Sequence, residues 1–270
     1  MPKKDLSLEE RRQKYSVPAL EKGLSVLELL SEQAIPMSQA EMARSLGRQP
    51  GELFRMLACL EGRGYVRREP LSGAYALTLR MFELSRIHSP NEALLRAALP
   101  LMRELADQTR ESCHLSILNN NQVLVIGQEE SPRAFRLSVE VGSHHPVLHT
   151  SSGRILAAAL VDEEERLRLL ETQEEWREAT DDKRAAILHE LSAVAERGYE
   201  HSSGERFVGG RDLGVLVGSP GKPLTAALTI AWLAEANGKD GYDHLLGPLT
   251  ACAKAIADRA GLLTESHDHG

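Results

Sequence analysis

Residues 38–66 constrain what this chain can fold into more than any other stretch. Ser38 is a favourable helix N-cap, and Glu41 three residues on completes a capping box. Ala40, Ala43 and Leu46 then share a small apolar face. Gly47 is a natural helix stop, because glycine enters the left-handed region at low cost. A second helix is expected a few residues later, with Leu53, Met56, Leu57 and Leu60 as its apolar stripe. Glu52, Arg55 and Cys59 fall on another face, with Arg48 and Gln49 just ahead of it. Two short helices that cross closely, the second presenting polar side chains, make a helix-turn-helix. Gly62 and Gly64 close the second helix. Residues 65–78 then read as two short strands around a Ser72-Gly73 turn, carrying Arg67 and Arg68. Helix, turn, helix, glycine and basic hairpin in that order predict a winged helix that binds double-stranded DNA. The competing reading of the same pattern is an ordinary helical hairpin beside a small sheet.

The chain has 270 residues, room for about two domains with real cores. Its net charge of −7 argues against a nonspecific nucleic-acid coat. The charge is unevenly spread, however. Up to Arg86 there are 14 Lys and Arg against 11 Asp and Glu, and after it 18 against 28. The first part can approach phosphates, whereas the second would be repelled. Cys59, Cys113 and Cys252 are widely spaced and odd in number, which fits reduced thiols in a cytoplasmic protein better than a disulfide frame. No apolar run reaches membrane-spanning length and no secretory signal opens the chain, so no membrane partner is expected.

The remaining pattern predicts an α+β protein. Residues 1–15 are charged and read as a flexible arm. A helix opening at Pro18 is expected to bury Leu20, Leu24, Leu27 and Leu30 under the helix-turn-helix, and 16–80 forms the winged unit. Residues 81–108 read as linker helices, broken at Ser89-Pro90, with Leu94, Ala98, Leu101 and Leu105 in a/d-like spacing and Pro100 as a kink. That helix can pack on its own domain, pair between subunits, or do both. From 109 to 262 strands appear at both ends with helices between: 113–118, 123–126, 136–141, 212–217 and 224–230 alternate as strands, and helices are expected near 152, at 162–171, 181–197 and 242–261. Residues 263–270 read as a flexible tail.

At this point the chain resembles the IclR family of bacterial transcriptional regulators. The resemblance rests on Ser38-Gln39-Ala40-Glu41-Met42-Ala43 with Leu46-Gly47, Phe54-Arg55-Met56-Leu57 with Leu60-Glu61, and Gly64-Tyr65-Val66. Further along it rests on Glu129-Ser131-Pro132, Val141-Gly142, His149-Thr150-Ser151-Ser152-Gly153-Arg154, Arg197-Gly198-Tyr199, Glu205, Gly209 and the run Ala226-Ala227-Leu228-Thr229. It implies an N-terminal winged helix-turn-helix joined by a linker helix to a GAF-like effector-binding domain. It also implies a homodimer or dimer of dimers on a palindromic operator, and a small organic acid as effector. By the same resemblance Ser151, Ser152 and Gly153 offer backbone N–H groups to a carboxylate, and His149, Ser202, Asp212, Thr229 and Ala231 complete the pocket. The chain departs from the family in having Asp212 where Cys is frequent, Ser202 where Asp is frequent, and Thr229 and Ala231 where two Ser are common. An Asp in the pocket repels a second carboxylate and accepts from a hydroxyl or amine, so a hydroxy or amino substituent is expected on the acid, and the resemblance adds that the acid is often aromatic. Gln49, Pro50, Gly51 and Glu52 replace a Lys-Ser-Thr type run, so no operator sequence carries over.

The candidate DNA contacts are Ser38, Arg44, Arg48, Gln49, Gly51, Glu52, Arg55, Arg67, Arg68 and Tyr75. Arg55 suits guanine, Gln49 adenine, and Glu52 cytosine, while Arg48, Arg67 and Arg68 suit phosphates. Arg55 can equally be structural, paired with a carboxylate. His144, His145 and His149 invite a metal reading, but neighbours in an extended segment point to opposite faces, so no metal and no cofactor is expected. His114 reads as a structural histidine. His149, Ser151, Ser152 and Asp212 contain the residue types of a hydrolase, yet the glycine-flanked nucleophile elbow is missing, and an enzyme is not expected. A DNA-binding protein without a ligand is the third alternative.

Overall fold

The computed structural model describes residues 15–87, 90–204, 208–234 and 241–262. The arm before Tyr15, the tail from 263, Glu205 of the family motif and Ser89 of the expected break lie outside the described residues. The chain divides into two compact units, the second beginning at Pro90.

The first unit contains α1 (Pro18–Gln33), α2 (Gln39–Ser45), α3 (Pro50–Gly62), the hairpin strands β1 (Val66–Arg68) and β2 (Tyr75–Leu77), and α4 (Arg80–Ile87). The capping box forms as expected: Ser38 N–H donates to Glu41 Oε2 at 2.7 Å, and Ser38 Oγ accepts from the Glu41 N–H at 3.3 Å. Gly47 ends the α2 turn at φ +61°, a conformation that a side chain would strain. The core gathers Val26, Leu29, Leu30, Met42, Ala43, Leu53, Leu57 and Val66. Two expectations change here. Leu20 and Leu24 are 60% and 47% exposed, because α1 turns Val26, Leu29 and Leu30 inward instead. Ala40 is exposed, and Met42 takes its place in the core.

The second unit is built on one antiparallel sheet ordered β5-β4-β3-β8-β7-β6. The strands are β3 (Ser112–Asn119), β4 (Gln122–Glu129), β5 (His144–His145), β6 (Tyr199–Ser203), β7 (Gly210–Val217) and β8 (Ala226–Leu233). Period-two alternation sends Cys113, Leu115 and Ile117, with Leu213, Val215, Leu228 and Ile230, to one face. There they pack on α5 (Pro90–Thr109) and α10 (Asp243–Arg259). Each fully buried Leu or Ile of this cluster contributes about 2 kcal/mol. Leu94, Ala98, Leu101 and Leu105 of α5 are all in this cluster, so the helix packs on its own unit. The other face carries α6 (Ser151–Ala158), α7 (Glu163–Glu171), α8 (Glu174–Glu178) and α9 (Asp181–Arg197).

The expected strand over 136–141 does not form. A side chain replaces the ladder: Gln128 Oε1 accepts the Val139 N–H at 2.8 Å and Gln128 Nε2 donates to Ser138 Oγ at 2.6 Å. Strand β6 and the short helix α8 are additions to the expected pattern. The polar sequence of β6, Tyr-Glu-His-Ser-Ser, hides its strand character.

Candidate functional site

Each unit presents one candidate surface. In the first it is the outer side of α3 with the β1–β2 hairpin. Gly51, Glu52, Arg55 and Cys59 are exposed there, and so is Phe54 at 59%. Arg44 and Arg48 are exposed beside them. Glu52, assigned to base reading, has local work. It accepts from the Gln49 N–H at 3.3 Å and pairs with Lys22 Nζ at 2.5 Å. Lys22 first, then the Gln49 amide, hold its carboxyl below the usual carboxylate range. On the hairpin, Arg67 is exposed near Glu69 at 3.7 Å, while Arg68 Nε donates to Gly73 O at 3.2 Å and lies over the Tyr75 ring. Tyr75 itself is not a surface residue. It is 4% exposed within the core, and its backbone exchanges two hydrogen bonds with Met37.

In the second unit a cavity of about 320 Å³ opens where the N-terminus of α6 meets the sheet. The approach is close because two positions lack side chains. A Cβ on Gly153 would stand 2.1 Å from Val147 O, and one on Gly214 would meet Ile155 Cδ1 at 2.7 Å. A buried ion pair fixes the helix. Arg154 Nε donates to Glu200 Oε1 at 2.7 Å, Arg154 Nη1 to Leu148 O at 2.8 Å, and Arg197 pairs with the other Glu200 oxygen. Glu200 is 3% exposed, so these partners are what make its charge tolerable.

Register and helix together set out the polar groups. Asp212 lies opposite Ser202 on β6 and Ala231 on β8, and Thr229 lies opposite His114 on β3. Ser151 Oγ donates to Ser202 Oγ at 3.0 Å, and Ser202 Oγ donates to Asp212 Oδ2 at 3.4 Å. Ser152 Oγ bridges Thr229 Oγ1 at 2.9 Å and His114 Nε2 at 3.2 Å. Burial, with His145 adding to it, pushes the His114 pKa down to about 4, so the ring is neutral near pH 7. Leu137, Val139, Val123 and Val125 supply apolar wall. The arrangement offers two helix-N-terminal backbone positions, a carboxylate acceptor and several hydroxyls around an apolar space, which suits a small polar organic molecule.

Of the expected pocket residues, Ser151, Ser152, Ser202, Asp212, Thr229 and Ala231 line this cavity. Two do not. His149 is more than half exposed, with Nε2 3.2 Å from Glu175 Oε2 on the outer surface. Gly153 has its N–H accepted by Thr150 Oγ1 at 3.1 Å and serves close packing instead. His114, Ser116, His145 and Arg211 also line the cavity and were not anticipated. The signal for the first two was present: they alternate with Cys113, Leu115 and Ile117, which makes the other face of β3 polar. Among the described residues no three His, Cys, Asp or Glu side chains gather as a metal site would require. No described helix is long and apolar enough to cross a membrane.

Known proteins share this organisation. Residues 19–70 match the IclR helix-turn-helix domain, and residues 89–258 match the domain described as bacterial transcriptional regulator IclR C-terminal. The HTH-type transcriptional regulator KdgR of Escherichia coli (strain K12) is 28% identical over 252 residues, covering 93% of this chain and 95% of that protein. The structure of Pseudomonas aeruginosa HmgR is 26% identical and superposes with a TM-score of 0.70, covering 90% of this chain and 99% of that one. An IclR homologue from Microbacterium hydrocarbonoxydans, solved as a complex with 4-hydroxybenzoate, has the same fold at 22% identity. Its TM-score is 0.74, with 90% of this chain and 99% of that chain covered. With one match to the helix-turn-helix domain and a second across most of the rest, the chain belongs to the IclR family of transcriptional regulators, with a DNA-binding unit followed by an effector-domain unit.

Proposed function

We propose that this regulator binds a palindromic operator as a homodimer, or as a dimer of dimers, in the cytoplasm, and that a small organic acid in the second unit's cavity modulates that binding. The observation that carries the reading is the cavity itself, with Ser151 and Ser152 at a helix N-terminus and the Ser202–Asp212 pair facing the same space. The N-terminus of a helix favours a carboxylate. Asp212 accepts from a hydroxyl or amine on the ligand and disfavours a second carboxylate beside it. That a protein of the same fold holds 4-hydroxybenzoate makes hydroxylated aromatic acids the first to try.

On the DNA side, Arg55 and Gln49 read bases while Arg44, Arg48, Arg67 and Arg68 take phosphates, with Ser38 and Gly51 close to the backbone. Dimerisation is supported by Leu20, Leu24 and Met81, large apolar side chains that one copy of the first unit leaves exposed. Effector binding changes DNA affinity only through unequal affinity for two arrangements of the dimer.

The test is operator selection from genomic DNA with purified protein, then DNA affinity measured with and without a panel of small carboxylic acids. The expected result is a footprint of two half-sites and one acid class that shifts both the DNA affinity and the melting temperature without being consumed. Acids that leave both unchanged, or one that is turned over, would overturn the reading.

A further inference from the structure

The cavity has a second polar end that the α6 N-terminus does not serve. Ser116 lines it from β3, is 0% exposed, and its Oγ has no hydrogen-bond partner among the described residues. Its sheet neighbours are Val125 on β4 and Ala227 on β8, which bring no polar side-chain atom. Buried hydroxyls are nearly always paired, and an unpaired one forgoes free energy that an incoming polar group recovers.

The spacing relates this end to the other. Ser116 follows His114 by two residues on the same face of β3, about 7 Å further along the strand. His114 in turn touches Ser152 at the mouth of the helix. A ligand whose carboxylate meets Ser151 and Ser152 therefore spans to Ser116 across a body about the size of one ring, past Val125. Elsewhere on the cavity lining, Ser143 Oγ gives its one hydrogen to Glu140 O at 2.6 Å, so His145 Nε2 must be the donor in its 2.9 Å contact with Ser143 Oγ.

We infer that Ser116 is a specificity residue for a hydroxyl carried on the effector opposite its carboxylate, so that the cavity prefers hydroxylated carboxylic acids to their unsubstituted counterparts. The inference rests on the reading of this cavity as an organic-acid site.

Two matched pairs of probes test it by calorimetric titration of the full chain: 4-hydroxybenzoate against benzoate, and 4-hydroxybutanoate against butanoate. In at least one pair the hydroxylated member should bind about tenfold more tightly. Ser116→Ala should bring that ratio to about one and leave the affinity of the unsubstituted acid unchanged. The melting temperature of the unliganded variant should not fall, because the hydroxyl it loses was unpaired. A ratio that survives Ser116→Ala overturns the inference and leaves the acid-binding reading intact. Equal weakening of both members, or a lowered melting temperature, assigns Ser116 a structural role and also overturns it. If none of the four acids binds the unaltered protein, the acid-binding reading falls and the inference with it.

Discussion

In the first unit the side chains proposed to meet DNA stand on the surface, with Arg55 exposed on α3 and Arg48 just ahead of it. In the second they are inside: Ser151, Ser152 and Thr229 are each at most 3% exposed. The difference sets how tightly each site is specified. A surface arginine needs only the right helix face, and water satisfies it until DNA arrives. A buried hydroxyl must be paired and is held where strand register and helix approach put it. Substitutions in the first unit should therefore cost affinity with little change in stability, whereas those that remove a paired hydroxyl or disturb the packing around the cavity should cost both.

The sharpest way to break that contrast is Gly153→Ala. The added methyl meets Val147 O, Cα and C at 2.1–2.7 Å, and these are backbone atoms that cannot swing aside. Overpacking of this kind costs about 3 kcal/mol or more. The second unit should unfold at clearly lower urea concentration and lose acid binding, while the first unit keeps its helical signal. A stability within about 1 kcal/mol of the unaltered protein would show that α6 tolerates displacement and that the cavity is less tightly built than argued.

His114 gives a smaller effect with a definite sign. The folded ring stays neutral down to about pH 4, whereas an unfolded chain protonates its histidine near 6.5. Between those values the unfolded state holds the extra proton, so stability should fall as pH drops from about 6.5 and level off near 4, by on the order of 3 kcal/mol. His114→Gln keeps a polar partner for Ser152 without a titrating ring. Urea unfolding across this range should give a flatter pH profile for the variant, and parallel profiles would remove His114 as the cause.

The same contrast explains which parts were readable in advance. The winged unit was legible because its signals are local: a capping box closes within three residues, and Gly47 marks its own turn. The cavity was legible where the family resemblance supplied positions, and of these Ser151, Ser152, Ser202, Asp212, Thr229 and Ala231 line it. His149 and Gly153 sit inside a family motif yet face Glu175 and Val147, partners set by the tertiary packing around α6. Tyr75 lay beside basic residues in sequence, but the pairing of its backbone with Met37 drew it into the core. The strand expected at 136–141 failed for a related reason. Its alternation was real, but the Gln128 side chain satisfies its backbone instead of a neighbouring strand.

Ser38 tests the surface half of the contrast at its gentlest, because it is both an N-cap and a candidate DNA contact. Ser38→Ala removes the side-chain acceptor of the Glu41 N–H, but the Ser38 N–H bond to Glu41 Oε2 needs no side chain and remains. The expected loss is about 1 kcal/mol, confined to the first unit. Ser38→Gly costs only a few tenths of that kind of stability, since glycine is itself an accepted N-cap, yet it removes the hydroxyl just as completely. If Ser38 serves only the helix, DNA affinity should stay nearly unchanged in the glycine variant and fall in the alanine variant no further than its loosened cap takes it. If the hydroxyl also touches a phosphate, both should bind DNA equally weakly despite their different stabilities. Affinity that follows stability, with the alanine variant weak and the glycine variant intact, would strike Ser38 from the DNA contacts and leave it a cap alone.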